Sequence, residues 1–462
     1  MKNLGRRLAA AALVFAAAAL APSCAQAASL DISASYRARL LSYANLNLNK
    51  EVGNNHAFLS NDARLSFAAR RIYLDTWRGE EMTLDVAVGL RALGVAGSTT
   101  AFQSPFDRIA DHYPNTSFVP FFERAYLGLH NAFGVPLDLT LGRQNYRLAS
   151  GLLLDDDGAG LTGAVGVGAL PFWDMKVEGF YFFGRNSQTG PDNLNLYGAS
   201  LIIPGEGTWQ FSALAEDDRR NQVQYGCWYT QMPAAGCRAY RSRRYFPSVR
   251  YTLHWGPVVF DGEAAFQLGK AKIVQDTAGA PKMVTFQGNA QVVKAKWKQK
   301  LYRTGEGIAR MTIARGSGDD GGTTDEDEAF FPSMGHRFDG MERSGFGDFF
   351  GASPYDAFGG NYSTTTASGL NRNASGIVAV GAGYSFPSYR NITLDVDYWL
   401  FQADRIRQGK RTLGAEWDFK LRYNLKDQFS MAASAALFGV GTATNQNLGA
   451  SRKYAFEVFG KF

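Results

Sequence analysis

Apolar and polar residues alternate along nearly the whole chain with a period of two, the repeat of an extended strand whose successive side chains face opposite ways. In the stretch 408–425, Ala415, Trp417, Phe419, Leu421 and Tyr423 share one face, and Glu416, Asp418, Lys420 and Arg422 share the other. In 390–403, Ile392, Leu394, Val396, Tyr398 and Leu400 oppose Thr393, Asp395 and Asp397. In 244–256, Val249, Tyr251, Leu253 and Trp255 oppose Arg250, Thr252 and His254. Such segments fall near 29–45, 57–72, 79–93, 119–132, 136–146, 160–169, 173–185, 193–203, 207–217, 244–256, 257–270, 284–300, 303–316, 374–387, 390–403, 408–425, 428–440 and 450–462. They number about 18, and an even count suits a transmembrane barrel. A soluble sandwich also alternates, but it buries its apolar faces against each other and uses shorter strands. Long two-faced strands suit a single wall between lipid and water. The expected fold is therefore all-β: one transmembrane, antiparallel, up-and-down β-barrel over residues 28–462.

The connections test this independently. With both termini periplasmic, loops after odd strands should be long and those after even strands short. The long stretches 94–118, 147–159, 218–243, 271–283 and 317–373 all follow odd strands, while two other odd-side connections, near 186–192 and 404–407, are short, which the rule tolerates. The short turns at Phe133-Gly134-Val135, Pro204-Gly205-Glu206, Gly256-Pro257 and Lys426-Asp427 all follow even ones. The stretch 317–373 is expected to be a large extracellular loop. The chain ends on an alternating strand closed by Phe462, a terminus of the kind the barrel-assembly machinery recognises.

The first 27 residues read as an address. Lys2, Arg6 and Arg7 precede an apolar run from Ala9 to Leu20, and Ala25-Gln26-Ala27 supplies a cleavage site. The run is too short to cross a bilayer as a helix. Cys24 as a lipoprotein cysteine is the rival, but Ala21-Pro22-Ser23 is a poor lead-in to it. Export to the bacterial outer membrane follows. A mean hydropathy of −0.21 fits a wall with one polar and one apolar face. Loss of the leader lowers the formal charge from +6 to +3, which gives no reason to expect nucleic acid as a partner. Cys227 and Cys237 remain in an oxidising compartment, and a loop disulfide is expected between them. Their spacing fits no zinc pattern, so no metal or cofactor is expected.

The sharpest local feature is Lys294, Lys296, Lys298 and Lys300, interleaved with Ala295, Trp297, Gln299 and Leu301. On a strand they point the same way, about 7 Å apart. Each would cost about 2–4 kcal/mol facing lipid at mid-depth, so a lumen ladder is expected. The alternative is a strand end above the membrane, with the lysines solvated or on lipopolysaccharide. Arg64 and Arg70, Arg124, and Arg310 are placed to join the ladder. Arg143 and Arg315 are less clear: parity groups Arg143 with Leu137, Leu139 and Leu141, and a bulge at Gly142 would be needed to turn it inward. Any of these arginines could instead pair with a carboxylate such as Glu123, Glu178, Asp261 or Glu263. The acidic runs Asp155-Asp156-Asp157 and Asp319 to Glu328 are read as solvated loops, because the spacing of a calcium loop is absent. No catalytic motif is present, the five histidines are scattered, and an enzyme is not expected.

Two regions carry a family resemblance. Phe122-Glu123-Arg124-Ala125-Tyr126-Leu127-Gly128-Leu129 is followed by Leu139-Thr140-Leu141-Gly142-Arg143-Gln144. Ile392 to Arg405 is followed by Leu413-Gly414-Ala415-Glu416-Trp417-Asp418-Phe419. Both resemble the bacterial alginate-export porins, across about a third of the chain. The resemblance implies an 18-stranded monomer with an arginine-lined constriction, to which Arg124 and Arg143 would contribute, passing an acidic exopolysaccharide. The middle of the chain, with Cys227 and Cys237, departs from that pattern.

The expected function is an outer-membrane pore for an anionic polysaccharide or related anionic solute. Its partners would be that solute, outer-membrane lipid and lipopolysaccharide, and periplasmic export proteins. A general or anion-selective porin for small solutes, a barrel enzyme and a scaffold barrel for a periplasmic partner are the alternatives. The exported protein should begin at Ala28 by intact mass, and its cysteines should resist alkylation until reduced. A different start, or a freely alkylating thiol, would refute the leader or the disulfide respectively.

Overall fold

The computed structural model describes residues 28–45, 55–97, 117–156, 158–170, 174–185, 193–219, 237–275, 282–301, 305–319, 322–323, 325–330, 332–333, 346–350, 374–406, 409–442 and 450–462. The expected leader 1–27 and Cys227 lie outside them, and with Cys227 the expected disulfide to Cys237.

The wall strands are β1 (Ser29–Ala44), β2 (His56–Trp77), β3 (Glu80–Gly97), β4 (Phe121–His130), β5 (Leu137–Gln144) and β6 (Leu161–Ala169). They continue as β7 (Lys176–Arg185), β8 (Leu194–Pro204), β9 (Gly207–Asp218), β10 (Cys237–Trp255) and β11 (Val258–Phe266, then Leu268–Gln275). The remainder are β12 (Lys282–Phe286, then Asn289–Leu301), β13 (Gly305–Gly316), β14 (Ile377–Ser385), β15 (Ile392–Gln402), β16 (Thr412–Leu425), β17 (Phe429–Val440) and β18 (Ser451–Lys461). Each pairs antiparallel with its neighbour, and β18 returns to β1 in register from Ser35 opposite Lys461 to Ala44 opposite Arg452. The result is a closed 18-strand antiparallel barrel. Closure leaves no unpaired edge, the condition for a sheet to stand in lipid.

The two faces fall where the alternation puts them. On β16, Trp417 and Leu421 are 47% and 48% exposed on the outside, while Glu416 is fully buried on the inside. Exposed Leu40, Leu127, Leu141, Trp297 and Leu400 continue the outer apolar surface round the wall. Aromatic residues Trp77, Phe133, Trp255 and Tyr389 sit exposed by the short turns, where a membrane barrel carries an interfacial girdle.

The strand count and the parity of connections follow the sequence pattern, but several strands run further than alternation indicates, β3 to Gly97 among them. β2 continues to Trp77, β10 begins at Cys237, seven residues before the expected 244, and β11 continues to Gln275. In the upper parts of β10 and β11 the outward face carries Arg241, Arg243, Lys270 and Lys272. On β10 the inward Ser242 and Arg244 are polar too, so hydropathy does not mark that strand, and on β11 the apolar face turns inward at buried Ala271 although the ladder continues.

Placing an arginine at Leu421, outward and mid-strand, should cost about 2–4 kcal/mol of barrel stability, read by denaturant unfolding in lipid vesicles. Leu421→Arg folding as tightly as wild type would mean that this face does not meet lipid.

Candidate functional site: a loop-narrowed lumen

An 18-stranded barrel is wide enough to leave an aqueous channel, so what lies inside decides what it does. Two connections fold inward. The first, between β5 and β6, is a strap whose described residues are 145–156 and 158–160. Leu148 N–H donates to the Leu154 carbonyl (2.9 Å), and Gly151 N–H to that of Leu148 (2.8 Å). Leu148, Leu153 and Leu154 are buried with Phe182 and Leu196 of the wall, and Tyr146 packs on Phe180 and Phe182. The strap is tethered to β11, where Ser150 N–H donates to Glu263 (3.1 Å).

Two acids of the run in this strap are not solvated, contrary to its reading as an open loop, and Asp157 lies outside the described residues. Asp155 and Asp156 are buried. Asp155 pairs with Arg147 (2.6 Å). Asp156 accepts from the backbone of Tyr146 (3.0 Å) and Gly160 (2.8 Å) and from the Asn145 amide (2.8 Å). Burial pushes the Asp156 carboxyl above its usual range despite those donors. A loop inside a lumen has no ladder for its N–H groups, and carboxylates supply the missing acceptors. Asp319 and Asp327 of the second acidic run are likewise buried.

The second inward piece is Phe346 to Phe350, within the large connection between β13 and β14. The fully buried Glu416 accepts from Phe349 N–H (2.6 Å) and Phe350 N–H (2.9 Å). Asp348 N–H donates to Asp418 (3.0 Å), and Lys453 donates to the Asp348 carbonyl (2.9 Å). Phe350 stacks on Phe401, with ring centroids 4.1 Å apart, and Phe349 on Phe438 at 5.6 Å. Gly347 makes this seat possible: its φ is +77°, and a Cβ there would lie 2.7 Å from the Glu416 carboxylate.

Beside this segment lies a cavity of about 630 Å³. Arg37, Arg39, Lys294, Arg310, Lys420 and Arg422 line it, together with Asp348, Asp395, Asp397 and Asp418. Lys294 reaches the cavity, and Lys296, Lys298 and Lys300 follow on the same lumen face toward the short-turn end of β12. Their neighbours Val293, Trp297 and Leu301 are exposed on the outside. Lys298 approaches Glu306 at 3.9 Å, with both side chains about half exposed. Lys296 stands directly opposite Arg310. Lys296, Lys300 and Lys420 make no ion pair among the described residues.

The expected arginines are mostly tied to carboxylates. Arg310 grips Asp397 with two hydrogen bonds of 3.0 and 2.9 Å and also donates to Ser385. Arg64 lies 3.2 Å from Asp62 and 3.5 Å from Glu123. Arg70 lies 2.7 Å from Asp31, and Arg315 lies 2.7 Å from Asp404. Arg124 donates to Ser66 (2.7 Å). Arg143 donates to the Ala159 carbonyl (2.6 Å) and to Thr162 (3.3 Å), fastening the root of the strap.

The bulge considered at Gly142 is absent, since both ladders pass through that residue in register. The irregularity lies one strand earlier, where Gly89 and Leu90 face Arg124 and Phe122 and Glu123 is the extra residue. Arg37, Arg39, Arg91, Arg244 and Lys453 were not singled out from sequence. Arg37 and Arg39 had a readable signal, alternating with Tyr36, Ala38 and Leu40. Arg91 and Arg244 are buried on Asp62 and Glu216, partners distant in sequence.

No protein-family model matches the sequence, and no curated protein matches it. Solved structures do. OccAB4 of Acinetobacter baumannii superposes with a TM-score of 0.53 at 10% identity, covering 94% of this chain and 98% of that one. OccAB1 of the same organism gives 0.51 at 10% identity, covering 94% and 96%. OccK8 (OprE) of Pseudomonas aeruginosa gives 0.50 at 10% identity, covering 94% and 98%. At such identities the likeness is one of fold, the closed 18-strand antiparallel barrel. It does not extend to alginate export.

Glu416→Ala should strip two buried N–H groups of their acceptor, at about 1–3 kcal/mol each, and unseat Phe346–Phe350. Conductance of the refolded barrel in planar bilayers should rise. Unchanged conductance would show that this segment does not restrict the lumen.

Proposed function

We propose that the barrel is an anion-selective channel for small carboxylate-bearing solutes. The observation that carries this reading is the line of lumen lysines, Lys294 to Lys300, leading from the cavity toward the short-turn mouth. Lysines at alternate residues along about 20 Å of strand act as weak sites in series. One lysine about 7 Å from a carboxylate in water contributes about 0.6 kcal/mol. Three or four together give about 2 kcal/mol, enough to enrich anions about thirtyfold without trapping them.

The inward segments favour small solutes over a polymer. The buried strap and Phe346–Phe350 fill lumen space that a polysaccharide would need. The length of the ladder supports the second reading, an anionic polysaccharide such as an alginate-like chain, because several evenly spaced cations can hold several uronates at once. In that case the inward segments must be displaced before the polymer passes.

Reversal potentials in planar bilayers separate these readings. Wild type should select anions, and Lys296→Gln/Lys298→Gln/Lys300→Gln should lose that preference several-fold. The preference should also shrink as salt rises from about 0.1 M to about 1 M, because the screening length falls to about 3 Å. Glucuronate crossing while oligouronates do not would support the small-solute channel, and oligouronates crossing would support the polymer. Cation selectivity, or a triple variant identical to wild type, would sink both.

A further inference from the structure

The upper extension of β9 to β11 carries a cluster of cations on the outside of the barrel, separate from the lumen. On β10, Tyr245, Pro247, Val249, Tyr251, Leu253 and Trp255 form the outward face. Tyr245 to Trp255 spans about 33 Å of strand, or about 25 Å of height at a tilt near 40°, the thickness of a barrel's apolar belt. The next two outward residues above Tyr245 are Arg243 and Arg241. Beside them on β11, above outward Phe266 and Leu268, stand Lys270 and Lys272.

Arg243 faces Lys270 in register, and Arg241 faces Lys272. Two like-charged cross-strand pairs are thus stacked, each destabilising alone. Asp217 answers part of this charge. It accepts from Arg219 (2.9 Å) and Arg241 (3.1 Å), and Arg243 lies 3.5 Å away. The arginines remain about half exposed. Lys270 makes no ion pair among the described residues. The next carboxylate on the far side is Glu326, across Thr285, which itself faces Lys270. Five cations therefore meet two acids directly above the lipid-facing surface.

We propose that this face is a docking site for the phosphorylated headgroup of an outer-leaflet glycolipid, with Arg243 and Lys270 as the principal phosphate contacts. A phosphate placed between a facing arginine and lysine turns their repulsion into two attractions, and a guanidinium offers it a two-pronged donor. The height selects the occupant. Cations immediately above an apolar wall match a molecule whose phosphates sit at the interface while its acyl chains cover Tyr245, Phe266 and Leu268. A soluble anion would use the cations alone and gain nothing from the apolar surface beneath them.

The test is native mass spectrometry of the full-length protein in detergent, titrated with bisphosphorylated lipid A and with the same lipid stripped of its phosphates. Wild type should bind the phosphorylated form at least tenfold more tightly. Arg243→Gln/Lys270→Gln should lose that preference while retaining wild-type conductance, which reports a folded barrel. Lys270→Gln/Lys272→Gln, changing two exposed side chains, gives a second variant should the first fold poorly. Equal binding of the dephosphorylated lipid would reduce the site to its apolar belt and overturn the proposal. So would displacement of lipid A by equimolar inorganic phosphate, or undiminished preference in both variants.

Discussion

Every backbone N–H and C=O within the membrane must find its partner inside the protein, because lipid offers none. For strands only a closed ladder meets that condition, and the pairing of β1 with β18 closes it. The rest of the architecture follows. A closed wall of alternating residues must present one apolar face to lipid, so its other face, polar and charged, has to line the interior. The lumen is charged because the exterior cannot be.

Inside that charged lumen the same requirement returns for chain that is not in the wall. The strap 145–160 and the segment Phe346–Phe350 lie in the lumen without a full ladder of their own, and carboxylates take the ladder's place. Glu416 receives Phe349 and Phe350, Asp156 receives Tyr146 and Gly160, and Glu263 receives Ser150. A carboxylate suits this work because two oxygens can hold two adjacent N–H groups where a side-chain hydroxyl holds one. Several lumen acids are thereby committed to structure. Arg310, Arg64 and Arg70 are committed in turn to other acids. Lys296 and Lys300 of β12 make no such pair among the described residues.

The wall was largely legible in the sequence because alternation is a local property, visible in any window that contains both faces. Trp417 against Glu416 needs no knowledge of the rest of the chain. Legibility failed where both faces became polar, as at Arg241 to Arg244, and where an acid's role depended on distant chain, as at Asp156 and Glu416. The position of the bulge shows the same limit. Glycine at 142 was a reasonable local sign, but register is a relation between strands, and the extra residue fell at Glu123 on β4. The placement of individual arginines was harder still, since Arg310 meets Asp397 and Arg315 meets Asp404 across gaps of 87 and 89 residues.

The seats of the inward segments also impose an order on assembly. The strap precedes β6 in the chain, yet it is tethered to Glu263 on β11. Phe346–Phe350 precedes β14, yet it rests on Asp418 and Glu416 of β16 and on Lys453 of β18. Neither can settle until strands synthesised well after it have joined the wall, since a long chain loop must close before such contacts repay it. The barrel must therefore pass through a stage in which its wall is advanced and its interior still open. Its narrowing is among the last features to form, and a lesion in the final strands would leave the lumen open where the finished protein narrows it.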